Sequence, residues 1–212
     1  MSGILDVLDS DLGRTIISGV ASSTGNDTTK TSRVLTMALP VLMTAMKRNA
    51  ATPQGAEGLM GAIQSKHDGR ILDNLGGLFS GGVDDNIKQD GNKILDHVLG
   101  SKKSGVEKVI GEKSGLDATA VANILKVAAP LLMGILGRQA KQQKVNSPND
   151  LGSILGGLLG GSSAQKEQSF LESILDADGD GSIVDDVAGM VLGNSKKKGG
   201  LGGLLGGLFG GK

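Results

Sequence analysis

The chain has 212 residues, and its acidic and basic side chains balance at 22 each. This balance excludes a bulk electrostatic field for nucleic acid or for an anionic membrane. There are three Phe and no Trp or Tyr, which excludes the aromatic platforms on which single-stranded nucleic acids stack. Cysteine is absent, which excludes disulfides, thiol catalysis and thiolate zinc sites.

The same composition favours an all-α fold. A core without Trp, Tyr or Cys must be built from Leu, Ile, Val, Ala and Met, which suit helix packing better than aromatic-rich strands. The N-terminus carries Asp6, Asp9 and Asp11 where a signal peptide would need a basic start and an apolar run. The predicted localisation is therefore cytoplasmic, with peripheral membrane association as the alternative.

The first part of the chain predicts three helices. Residues 2–22 read as a pair of short amphipathic helices, and residues 23–31 as a polar loop. A stronger helical pattern follows and contains Pro40. Its apolar residues recur at helical spacing: Val34, Leu35, Ala38, Leu39, Leu42, Met43 and Met46.

A second segment repeats this design around Pro130. Aligning Pro40 with Pro130 places LPVLM on APLLM and Arg48 on Arg138. We interpret the match as an internal duplication that produces two related helical halves. Each proline either kinks its helix, because it removes a backbone hydrogen bond, or occupies the first turn of a new helix.

Two shorter helices are expected between these segments, over Lys88–Leu99 with Gly100 as the C-cap, and over Val106–Gly115. Asp117 has the position of the N-cap of the second major helix. The 36 glycines cluster near residues 75–82, 152–161 and 199–211, and these clusters are predicted to be linkers.

Four stretches carry a family resemblance: HDGRILDNLGGLF, DGNKILDHVLG, GLDATAVANILKVAAPLLMGILGRQ and LDADGDGSIVDDVAGMV. Together they resemble the YidB-like bacterial family, a domain of unknown function (DUF937), over about residues 30–195. The resemblance implies a helical bacterial protein and implies no activity.

An acidic loop near the C-terminus matches the first eight positions of an EF-hand loop. Its carboxylates stand at positions 1, 3 and 5, a glycine provides the sharp turn at position 6, and position 7 offers a backbone carbonyl. Position 12 is Val187 instead of Glu, so Asp185 or Asp186 must close the site. The predicted calcium ligands are Asp176, Asp178, Asp180, Ser182 and Asp186. The alternative is a solvated turn that binds no ion.

No catalytic group of residues is apparent. His67 and His97 are thirty residues apart, each near an acid (Asp68 and Asp96), and are expected to be exposed at helix ends. The tail combines Lys196–Lys198 with a leucine and glycine pattern, which is typical of a disordered segment or of one that docks on a partner or a membrane surface.

The sequence thus predicts a non-enzymatic interaction or scaffolding protein whose calcium-type loop orders a C-terminal unit. The alternative is a membrane-surface protein that acts through its tail. The expected parts are a helical domain (1–150), a Gly-rich linker (151–165), an EF-hand-like helix-loop-helix (166–195) and the tail (196–212). A protein partner or self-association is expected, and nucleic acid is not.

Overall fold

The computed structural model describes residues 3–145 and 147–160, and this part of the chain is all-α. Three short 3₁₀ segments, Arg70–Asn74, Gly100–Lys102 and Pro148–Asp150, connect longer helices. The α-helices are α1 (Ile4–Asp9), α2 (Asp11–Thr24), α3 (Thr28–Asn49), α4 (Pro53–Ser65), α5 (Leu75–Phe79), α6 (Asp85–Leu99), α7 (Lys103–Ser114), α8 (Ala118–Gln142) and α9 (Leu151–Leu159).

The helices at the N-terminus follow the predicted pair, but the loop after them is shorter than predicted. Helix α2 continues to Thr24 and ends at Gly25, which adopts a left-handed conformation. Helix α3 then begins at once, because the Asp27 side chain accepts a hydrogen bond from the Lys30 amide and caps its first turn. The predicted polar loop over residues 23–31 is thereby reduced to three residues between the two helices.

Both prolines lie inside long helices. Pro40 is buried within α3 and Pro130 is buried within α8, so the alternative of a new helix beginning at each proline is wrong. The side chain of Asp117 caps α8 by accepting a hydrogen bond from the Ala120 amide, which confirms that prediction. The duplication of entire halves around the two helices stays a prediction.

Helix α8 is the centre of the described fold and packs against α2, α3, α4, α6, α7 and α9. By length and composition it could cross a membrane, but 78% of its most apolar window is buried inside the protein. This degree of burial is typical of a core helix. Helix α6 packs closely on α8, because Gly91 has no side chain to hold the two backbones apart.

Two glycine-rich stretches that were predicted to be linkers form helices. Residues 75–79 are α5, in which Leu75 is buried against neighbouring elements, and α5 packs on α2. The other helix, α9, packs on α3 and α8. Its buried residues are Leu151, Ile154, Leu155 and Leu158. Each helical glycine costs about 1 kcal/mol, and burial of the leucines offsets this cost. Because that burial depends on other helices, the local sequence pattern did not predict it.

Candidate docking groove

The predicted calcium ligands, Asp176, Asp178, Asp180, Ser182 and Asp186, and the alternative ligand Asp185 lie outside the described residues. Within residues 3–160, apart from residue 146, no group of three or more His, Asp or Glu side chains is placed to hold a metal ion. The site described next is therefore a different one, which the sequence pattern did not predict.

A groove of about 350 Å³ lies between α4 and α6, and we call it the α4–α6 groove. Its floor contains Met46 of α3 and Met133 of α8, whose exposed fractions are 1% and 2%. Its full lining consists of Met46, Asn49, Gly55, Gly58, Leu59, Ala62, Ser65, Lys66, His67, Asp90, Lys93, Ile94, His97, Val98 and Met133. The floor is apolar and most of the polar side chains belong to α6 and to the end of α4.

The α4 wall is made largely of small residues. The helix begins at Pro53, and the Thr52 hydroxyl caps it by accepting a hydrogen bond from the Gly55 amide. Gly58 faces open space, since a Cβ atom added there would meet no atom within 4 Å. Together with Ala62 and Ser65, it leaves room for another backbone to approach this helix closely, whereas Gly55 is already packed against the Asn49 carbonyl.

The α6 wall has an apolar base and a charged rim. Ile94 and Val98 are half-buried, one turn apart, whereas Lys93 and His97 are exposed one turn apart beside them. The helix is held by α8 on its other side, where Gly91 makes the close approach. Its exposed groove face is therefore carried by a firmly packed element.

One end of the groove is closed by Asn49, the last residue of α3. Its side-chain amide donates to the backbone carbonyls of His97 and Val98, at 3.2 and 3.4 Å. These carbonyls belong to the last turn of α6, which has no intrahelical partners for them. The contact fixes the end of α3 against the end of α6 and so sets the width of the groove there.

Both histidines line the groove, and the prediction of exposed helix-end histidines is wrong for His67. His67 is only 6% exposed, and its Nε2 lies 3.3 Å from Oδ2 of Asp90 on α6. Burial lowers the pKa of His67 below its ordinary 6.5, against the opposing effect of the Asp90 carboxylate. His67 is therefore neutral at pH 7. Its partner Asp90 is 23 positions away in the chain, so local sequence spacing could not predict the pair.

Ion pairs anchor the loop that carries His67 to α8. Oδ2 of Asp68 lies 2.9 Å from Nζ of Lys141 and 2.9 Å from Nε of Arg70. These cations hold the pKa of Asp68 well below its ordinary value. The backbone of His67 lies so close to Gly137 that a Cβ atom added at that glycine would overlap the His67 carbonyl oxygen. The position of His67 is thus set by contacts with α8.

A hydrogen-bond network between α6 and α7 and a second cavity lie outside the groove. Lys103 of α7 donates to Asn92 and Asp96 of α6, at 2.7 and 2.8 Å, and this network ties the two helices together. A cavity of about 440 Å³ lies between α4 and the end of α8. It borders Val145 and therefore residue 146, which is outside the described part of the chain.

The groove could have been suspected from one signal in the sequence. Gly55, Gly58, Ala62 and Ser65 recur at spacings of three and four, so they share one face of α4. Such a face cannot bury much apolar area by itself. What the spacing could not reveal is that α6 stands opposite and that two methionines lie beneath.

Comparison with known proteins identifies a bacterial family. A family model described as a bacterial protein of unknown function (DUF937) matches residues 6–139. The match covers α1 to most of α8 and ends before the acidic loop, whereas the expected extent was about residues 30–195. No curated protein and no solved structure matches the chain.

Proposed function

We propose that this chain, which belongs to the DUF937 family of bacterial proteins of unknown function, is a non-enzymatic interaction or scaffolding protein. The observation that supports this proposal is the α4–α6 groove, with its methionine floor and small-residue wall. The docked partner would be a short amphipathic helix with acidic residues beside its apolar face.

The apolar character of the partner follows from the floor. Met46 and Met133 present flexible, polarisable side chains, which adapt to different apolar shapes at binding surfaces. Leu59, Ile94 and Val98 are half-buried and lose further exposed area when the groove is filled. Removal of apolar surface from water contributes about 25 cal/mol per Å², which makes this the main source of affinity.

The acidic character of the partner follows from the rim. Lys66 and Lys93 stand at its edge, and Asp90 is the single acidic lining residue, so the lining carries an excess of one positive charge. An acidic partner therefore meets complementary charge, which favours encounter and orientation. A helix suits the groove because small residues on α4 permit close helix contact, and α4 with its 13 residues is about 20 Å long.

The acidic loop is the second part of the proposal. Carboxylates at positions 176, 178 and 180 have the spacing of calcium ligands, and we propose that calcium orders the C-terminal unit around them. Affinity would be modest, roughly 10 μM to 1 mM, because Asp at the closing position is shorter than Glu. Calcium titration calorimetry on the wild type and on Asp178→Ala with Asp180→Ala tests this part. Heat in the wild type at one site and none in the variant supports it, and no heat in either refutes it.

Membrane association through the tail is the alternative function. It is supported only by the sequence, in which Lys196–Lys198 precede leucines at helical spacing. Pelleting with anionic liposomes, by the full chain but not by a chain ending at Asn194, is the expected result of this alternative. No pelleting by either chain removes it.

The docking proposal is tested with a fluorescein-labelled peptide of Leu, Ala and Glu, about 14 residues or 20 Å long as a helix. Fluorescence anisotropy should show saturable binding, and a matched peptide with Lys in place of Glu should bind at least several-fold more weakly. Gly58→Leu should abolish binding by filling the groove. Gly61→Leu is the control, since Gly61 is equally exposed and open but does not line the groove. Equal binding by the two variants would refute the proposal.

A further inference from the structure

We propose that residues 166–176 of this chain are the resident occupant of the α4–α6 groove, so that an external partner must displace them. This inference rests on the proposed function and adds a regulatory competitor to it. It is drawn from the chemistry of the groove, from the charge of this segment and from the length of chain that joins the two.

The segment has the composition that the groove selects. Its sequence, KEQSFLESILD, carries Phe170, Leu171, Ile174 and Leu175, which share one face when the segment is helical. Glu167, Glu172 and Asp176 are its acidic residues, against one lysine. An apolar face flanked by carboxylates is the pattern inferred above for the partner from the groove alone.

The rim offers this segment complementary charge. Lys66 at the end of α4 and Lys93 and His97 on α6 stand on both sides of the apolar floor. Carboxylates placed beside these two lysines are attracted to them, and the attraction weakens with salt. Charge therefore sets the orientation of the segment, whereas its apolar residues supply most of the affinity.

The tether starts from helices that pack on the elements of the groove. Helix α9 ends at Leu159 and packs on α3, and the end of α3 contributes Met46 and Asn49 to the groove. The 3₁₀ segment Pro148–Asp150 packs on α4. Phe170 lies ten positions after Gly160, and an extended chain of that length spans about 33–36 Å. A short tether of this kind gives an effective concentration in the millimolar range, so even weak docking is populated.

The scarcity of aromatic residues provides a sharp test. The chain has seven Met, three Phe and two His, with no Trp or Tyr, so an aromatic ring-current shift at a methionine methyl group comes from Phe79, Phe170, Phe209 or one of the histidines. Both histidines line the groove and stay in place when a Phe is replaced. Phe79 packs against Gly19 of α2. A change in the methyl signals of the groove floor when one Phe is replaced therefore identifies the segment that carries that Phe.

The measurement is the methyl spectrum of the full chain with ¹³C-labelled methionine methyl groups. The signals of Met46 and Met133 are assigned by Met→Leu substitution. Phe170→Leu should move at least one of these two signals and leave the signal of Met37, which does not line the groove. Phe209→Leu, the matched control, should move neither. Unchanged floor signals in Phe170→Leu, or a shift produced by Phe209→Leu, would overturn the inference.

Peptide binding separates failure of this inference from failure of the proposed function. Ile174→Asp places a charge on the apolar face of the segment, so the labelled acidic peptide should bind this full-length variant several-fold more tightly than the wild type. Equal affinity for the two proteins refutes the resident occupant and leaves the docking function standing. No binding to Ile174→Asp refutes the docking function itself, and the resident-occupant inference with it.

Discussion

Helix α6 faces two neighbouring helices, each across a glycine, and the two glycines differ in what they do. On one side Gly91 brings the helix against the backbone of α8, where a Cβ atom would overlap the carbonyl oxygen of Lys126. On the other side Gly58 of α4 stands across the groove, with open space above it. The first glycine makes a packed interface possible, and the second leaves a surface that other chains can approach. Glycine content alone therefore does not distinguish a core contact from a binding surface.

The largest expected effect follows from the packed side. Gly91→Ala should destabilise the protein by about 3 kcal/mol, because the overlap is with backbone, which cannot rotate away. Urea unfolding followed by circular dichroism measures this change. Gly105→Ala in α7, where a Cβ atom would meet nothing within 4 Å, is the control and should not destabilise. A loss for Gly91→Ala below about 1 kcal/mol would mean that α6 and α8 separate easily.

The second effect concerns pH and the buried histidine. Burial lowers the pKa of His67 in the folded protein, so below about pH 6.5 the unfolded chain binds this proton more readily. Stability should therefore fall as pH decreases through 6.5 toward the folded pKa, by at most about 1.4 kcal/mol per pH unit. Urea unfolding between pH 7.5 and 5 should show this slope in the wild type.

The slope should be missing in His67→Gln. Subtracting the variant from the wild type removes the contributions of other groups, including Glu107, whose pKa is raised by burial. The Asp68 carboxyl, with its lowered pKa, loses its contribution only at more acidic pH. A wild type and a variant with parallel pH profiles would contradict a buried neutral histidine.

The third effect tests the charge of the groove. Lys93→Glu should weaken binding of the acidic peptide by roughly 1 kcal/mol, about fivefold, because it reverses one charge at the rim. Added salt should reduce the difference between variant and wild type. Lys108→Glu on the exposed side of α7 is the matched control and should bind as the wild type does. Equal losses of peptide affinity in both variants would show that binding depends on the net charge of the protein and not on the charge at the rim of the groove.

The smallest effect is a gain. Gly58→Ala should stabilise the protein by about 0.5–1 kcal/mol, since alanine is a better helix former and its Cβ atom meets nothing here. The same unfolding experiment measures it, with Gly61→Ala on the same helix as the comparison. A destabilised Gly58→Ala variant would show that the groove is narrower than described.

Much of the fold could be predicted because the hydrophobic period and the capping residues of a helix are local features of the sequence. The 3.6-residue period identified the helices around Pro40 and Pro130, and the capping residues Asp117 and Gly100 marked helix ends correctly. The predictions failed where burial outweighed local preference. The glycine-rich helices α5 and α9 exist because their leucines reach apolar surfaces contributed by α2, α3 and α8.

The sequence by itself determined the helical class, the main helix positions, the family and the acidic pattern at residues 176–186, because each depends on residues near one another in the chain. The existence and the lining of the α4–α6 groove were decided only by the tertiary structure. It pairs His67 with Asp90, ties Asn49 to the end of α6, and places Met46 and Met133 under one surface. These partners are far apart in sequence, and packing around α8 brings them together.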